Sequence, residues 1–105
     1  MNISNIFEEI PKELKEELFQ ELISKDSIKI ERIVSYGHKS AESEWYDQKG
    51  DEWVILLKGE AIISFLNEED VRLKAGDYLN IVAHKKHRVS WTKPDQESVW
   101  LAVHY

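Results

Sequence analysis

The stretch "DEWVILLKGEAIISFL", Asp51 to Leu66, decides the fold. Two apolar runs, Val54–Leu57 and Ala61–Ile63, flank the polar break Lys58-Gly59-Glu60. Short, β-branched runs separated by a glycine-centred turn predict two strands joined as a hairpin. Successive side chains on a strand point to opposite faces. If Glu52 points inward, Val54 and Leu56 therefore do so as well.

The same texture continues on both sides. Upstream, "IKIERIV" (Ile28–Val34) is β-branched and alternating. Downstream, "VRLKAGDYLNIVA" repeats the pattern around a turn at Ala75-Gly76-Asp77. "HRVSW" and "VWLAVHY" read as two more strands, separated by the turn "TKPDQES". Six to eight short strands with turn signals between them predict an all-β, antiparallel barrel or sandwich. The longest polar connection, Tyr36–Gly50, carries aromatic residues and is the candidate functional loop.

The first quarter has a different period. In "PKELKEELFQELISK", Leu14, Leu18, Leu22, Phe19 and Ile23 recur at steps of four and five. That spacing predicts one amphipathic helix, with Pro11 in its first turn and acidic residues near its positive end. The expected organisation is a helical extension over residues 1–26 and a β-barrel over 27–105, with the helix packed on the outside.

Composition narrows the function classes. The 105 residues hold 20 Asp and Glu against 14 Lys and Arg, a net charge of −6. An acidic chain lacks the basic footprint that nucleic acid requires, and it is repelled by anionic membrane surfaces. With no cysteine, disulfides, thiolate metal sites and cysteine nucleophiles are excluded. No segment reads as a signal peptide or a membrane span. The expectation is a cytoplasmic protein.

"EWVILLKGEA" followed by "LKAGDYLNIVAHKKHRV" resembles the two signature motifs of the cupin family. Gly76 and His87 match the second motif, while Val82, His84 and Trp91 stand where proline, glycine and asparagine are usual. Glu52 and Gly59 match the end of the first motif. Ahead of that glutamate, "WYDQ" replaces the usual His-x-His, a feature that is similar to one subgroup of small single-domain cupins. Depending on spacing, the histidine positions fall on Tyr46 and Gln48, or on Trp45 and Asp47.

The resemblance, over Ile28 to Tyr105, implies a jelly-roll-like cupin barrel with a pocket at its mouth, and commonly a homodimer. It also implies one divalent metal, Zn, Fe, Mn or Ni, held by three His and one Glu. Only Glu52 and His87 carry over directly as ligands. Gln48 and Tyr46 are the expected replacements, offering a neutral carbonyl and a phenol that is protonated near neutral pH. Such donors weaken the site, so a weak metal site and a metal-free pocket both stay open.

The remaining candidates follow from alternation. With His87 inward, Val89 and Trp91 are expected to follow, making Trp91 a ligand-binding candidate beside Trp45, Tyr46 and Gln48. His84, beyond Lys85 and Lys86, reads as an exposed turn residue. His38 and His104 read as ordinary loop and strand residues. Trp53 and Trp100 suit barrel filling.

The leading functional reading is a small-molecule and/or metal-binding cupin. One alternative is a metal-dependent isomerase or oxygenase acting on a small polar substrate. The other is a non-catalytic dimeric sensing or interaction module.

Overall fold

A computed structural model describes residues 1–105. Eight strands follow in order: β1 (Leu18–Lys25), β2 (Ile28–Tyr36), β3 (Glu52–Lys58), β4 (Glu60–Phe65), β5 (Val71–Lys74), β6 (Tyr78–Ile81), β7 (His87–Thr92) and β8 (Glu97–His104). They form a five-stranded sheet, β1-β2-β8-β3-β6, and a three-stranded sheet, β5-β4-β7. Every pairing is antiparallel. The all-β, antiparallel expectation is met.

The expected hairpin at Gly59 is instead a corner. β3 pairs with β6 and β8, whereas β4 pairs with β5 and β7, so the chain changes sheets at Gly59. Gly59 has φ +97°, and an added Cβ would lie 2.8 Å from Ser98 Cα and 2.9 Å from the Glu97 carbonyl oxygen. Only glycine permits both that dihedral and that approach. A hairpin and a corner share the same turn chemistry, and local sequence does not separate them.

The core lies between the two sheets. Val54, Leu56, Ile63, Leu73, Ile81 and Trp100 are buried there. Their alternation with half-exposed neighbours in β3 and β4 follows the two-residue period of a sheet with one wet face.

The N-terminal helix is not formed. Residues 1–17 adopt neither helix nor strand, and Leu18–Lys25 is a strand on the edge of the larger sheet. The boundary expected at residue 26 therefore falls inside a β1–β2 hairpin closed by Asp26 and Ser27. Asp26 takes φ 52°, which Asp tolerates better than most residues. Tertiary pairing overrides local propensity here, because β2 offers β1 a full ladder that an isolated helix would lack. Of the proposed helical stripe, Phe19, Leu22 and Ile23 all stay exposed, with Phe19 at the rim of the cavity described below.

A buried arginine ties down the irregular N-terminus. Arg32, on β2, donates to the carbonyl oxygens of Ile6 (3.0 Å) and Glu8 (2.7 Å) and to the Gln20 side chain. Its planar fork reaches four acceptors at once, one more than the three hydrogens of a lysine could serve.

Candidate functional site

The inner face of the larger sheet carries charge at one end. Glu52 on β3 lies directly opposite His104 on β8, and Glu31 on β2 shares their face through its pairing with Ala102. One period deeper come Val54 and Ile33, and Trp100 follows on β8. The facing sheet contributes His87, Val89 and Ile63. Together these residues bound a cavity of about 80 Å³ between the sheets, with an apolar floor and a polar mouth.

The mouth holds two histidine–glutamate pairs. Nε2 of His87 lies 3.5 Å from Oε1 of Glu52, and both residues are only 7% exposed. Nε2 of His104 donates to Oε1 of Glu31 at 2.8 Å. A third carboxyl, Glu17, accepts from the Ser35 hydroxyl at 2.6 Å. Burial pushes the Glu17 pKa above the usual carboxylate value, against the lowering effect of the Ser35 bond.

His87 is oriented from behind. Its Nδ1 donates to the Lys85 carbonyl oxygen at 2.8 Å, which aims Nε2 at the cavity. Burial alone would lower its pKa, but the hydrogen bonds to Glu52 and Lys85, with the charge of Glu52, outweigh burial and raise it. The Tyr46 phenol is raised mainly by burial, so it is a neutral donor near neutral pH.

The "WYDQ" segment resolves into one register. Tyr46 and His87 form an isolated antiparallel bridge, with Tyr46 N–H donating to the His87 carbonyl oxygen at 2.8 Å. Tyr46 and Gln48 consequently line the cavity. Asp47 turns outward and pairs with His84 at 2.8 Å, while Trp45 lies outside under the Arg88 guanidinium. Of these four residues, Tyr46 and Gln48 line the cavity and Trp45 and Asp47 do not.

Trp91 does not follow His87 inward. The β4–β7 register shifts between Ile62 and Ile63, so Val89 pairs with Ile63 while Trp91 pairs with Ile62. The extra residue, Ser90, reverses the alternation, as a bulge does. Trp91 then sits on the outer face, with the Arg72 guanidinium 5.1 Å from its ring centre.

His84 is an exposed turn residue at φ 65°, with its side chain 68% exposed. His38 accepts the Tyr36 N–H at 2.8 Å and does not line the cavity. His104 is a strand residue satisfied by Glu31, and it also lines the cavity. Its phase with Trp100 and Ala102 was the available signal. Glu31 and Glu17 had no comparable motif to mark them, although Glu31 shares the inward phase of Ile33.

The donor set does not fit a divalent metal held by four protein ligands. No group of three His, Cys, Asp or Glu side chains converges to hold one ion. Glu52 and His87 meet at the cavity mouth, and Tyr46 and Gln48 add a phenol and an amide to the same lining.

The family model described as a cupin domain matches residues 32–104. The chain belongs to the cupin family. Across 99% of its length and 97% of the other chain, this cupin matches a crystal structure from Ralstonia eutropha JMP134, with 39% identity and a TM-score of 0.94. That protein is provisionally named a mannose-6-phosphate isomerase. A cupin superfamily protein from Desulfitobacterium hafniense DCB-2 matches at 24% identity and a TM-score of 0.76, over 90% of this chain and 82% of that one. A cupin with a double-stranded β-helix fold from Methanocaldococcus jannaschii matches at 18% identity and a TM-score of 0.73, over 91% and 85%. The last two show the fold alone. No curated protein sequence matches the chain. No helix is long and apolar enough to cross a membrane.

Proposed function

We propose that this cupin binds a small organic molecule in the barrel mouth, with Glu52 and His87 holding the polar head of the ligand. The observation that carries this reading is the buried His87–Glu52 pair at the rim of a cavity floored by Val54, Ile63, Ile81 and Trp100. Polar groups shielded from water are stable only when paired, and one partner at 3.5 Å leaves Glu52 with capacity for a ligand. The apolar floor supplies affinity, and the pair supplies orientation.

Proton transfer on such a ligand is a second reading. Glu17, whose raised pKa favours the protonated carboxyl, and the neutral Tyr46 phenol line the same cavity as the His87–Glu52 pair. Several titratable groups with pKa values perturbed by burial in one cleft suit acid–base work. The provisional isomerase name of the Ralstonia relative belongs to the same class of chemistry.

Thermal shift and calorimetry with a panel of small alcohols, amines and acids test the binding reading, with His87→Ala as the control. A ligand that stabilises the native chain but not His87→Ala supports it. Equal stabilisation of both chains contradicts it.

A further inference from the structure

The outer face of the larger sheet is apolar, where a solvent-facing sheet is ordinarily polar. One row across it runs Ile23, Ile30, Val103 and Trp53, from β1 to β3. The next carries Leu101, Ile55 and Tyr78. Tyr78 is 65% exposed and Ile23 54%, and the others are half-buried. The only charged side chain in these two rows is Arg32, which is turned to the carbonyls of Ile6 and Glu8. In a chain whose residues are 32% charged, that is a depleted surface. The outer face of the smaller sheet differs, with Glu60 on β4 and Arg72 and Lys74 on β5.

Two charges of opposite sign border this patch on opposite flanks. Lys25 ends β1, paired with Ile28, and Asp51 precedes β3, exchanging backbone hydrogen bonds with Tyr105. Both belong to the row two residues beyond Ile23 and Trp53, on the same face. Neither takes part in an ion pair within the chain. A two-fold axis parallel to the strands therefore brings Lys25 of one copy over Asp51 of another, and the reverse. Size is sufficient as well. Five strands about 4.8 Å apart, over three rows about 7 Å apart, present roughly 500 Å² per copy, or about 1,000 Å² for a pair, which reaches the range of specific interfaces.

We infer that the outer face of the five-stranded sheet is the contact with a second copy of this chain, stacked face to face, with Lys25 of each copy opposite Asp51 of the other. Aligned sheets stack in this way with their inner rows interdigitated. Burial of Ile23, Trp53 and Tyr78 supplies the affinity, and the two charge pairs fix the orientation. A contact with a second copy needs a surface that complements itself, and one that carries both signs on opposite flanks does so. A uniformly acidic or basic partner would leave one of the two charges facing its like. The cavity lies on the opposite face of the same strands, so the second copy and a cavity ligand occupy separate surfaces.

Sedimentation equilibrium of the full chain tests the inference, with circular dichroism to check the fold of each variant. The native chain is expected to dimerise with a dissociation constant below about 100 μM. Ile23→Lys and Tyr78→Lys alter side chains that are exposed in a single copy, so the fold should hold while the dissociation constant rises at least about tenfold. Val71→Lys, at an exposed apolar residue of β5, should leave it unchanged. Lys25→Glu should weaken the dimer, and adding Asp51→Lys to it should restore association. A chain that stays monomeric up to about 100 μM overturns the proposal. So does a dimer that Ile23→Lys and Tyr78→Lys leave intact, or one that Val71→Lys dissociates equally. Failure of Asp51→Lys to restore the Lys25→Glu variant overturns the stated arrangement of the two copies.

Discussion

Glu52 and His104 sit directly opposite each other on the β3–β8 ladder, yet their side chains pair away from one another. Glu52 turns to His87 across the cavity, and His104 turns to Glu31 on the next strand. The barrel mouth is thus built from two separate histidine–glutamate pairs, only one of which lies in the stretches that resemble the family's motifs.

The second pair should be structural as well as functional. Glu31 is 8% exposed, and His104→Ala would leave its carboxylate without its hydrogen-bonded partner. The expected cost is about 1–3 kcal/mol in urea unfolding. His104→Gln, which retains a donor, should recover part of it. Equal losses in both variants would show that the bond to Glu31 contributes little.

His87 and His84 are expected to behave oppositely. His87→Ala removes a buried partner of Glu52 and should cost about 1–3 kcal/mol and abolish ligand binding. His84→Asn keeps a residue tolerant of φ 65° at an exposed site and should change stability by less than about 0.5 kcal/mol. Unfolding curves and calorimetry on the two variants check this.

The His87 pKa sets the sign of a pH dependence. Its folded value is raised above 6.5 by Glu52 and the Lys85 carbonyl against the lowering effect of burial. A raised folded value means that protonation favours the native state. The contribution is fully present below the unfolded value and is lost as pH rises through the folded one. Stability measured from pH 6 upward should fall through this window in the native chain and flatten in His87→Gln.

Glu17 has the same sign for a different reason. Burial raises its carboxyl, so ionisation opposes folding once the pH passes the unfolded value near 4.5. Glu17→Gln keeps a side-chain oxygen to accept from Ser35 and should raise the melting temperature at pH 7 but not at pH 4. A lower melting temperature at pH 7 would show that the carboxylate itself is needed.

Much of this site was legible in the sequence, for reasons particular to each residue. Glu52 with Val54 and Leu56 could be placed inward because β3 keeps its alternation through those three residues. Trp91 was misplaced because Ser90 bulges, and a bulge leaves no hydrophobic signature. The segment Leu18–Lys25 carries helical spacing and still forms a strand, since its partner β2 decides the matter through a ladder invisible to local pattern. Gly59 signalled a turn, but which sheet follows depends on its contact with Ser98, a residue 39 positions away.

Gly59→Ala is the sharpest probe of that corner. The new methyl group would meet the Ser98 and Glu97 backbone at under 3 Å, at a φ that L-residues avoid at a cost of about 1–2 kcal/mol. Adding the clash, the variant should unfold at markedly lower urea or fail to fold. Native-like stability would mean that the two sheets can separate at this point.

The central claim is that the cavity between the sheets is a binding site organised by Glu52 and His87. Its most direct measurement is an NMR titration of the labelled protein with the most stabilising compound of the thermal-shift panel, following backbone amides, Trp indoles and imidazole nitrogens. Saturating shifts are expected at Val54, Ile63, Trp100 and the His87 Nε2, with Trp45 and Trp91 on the outer surface unmoved. Shifts confined to the outer face, or none at the His87 ring while binding saturates, would contradict it.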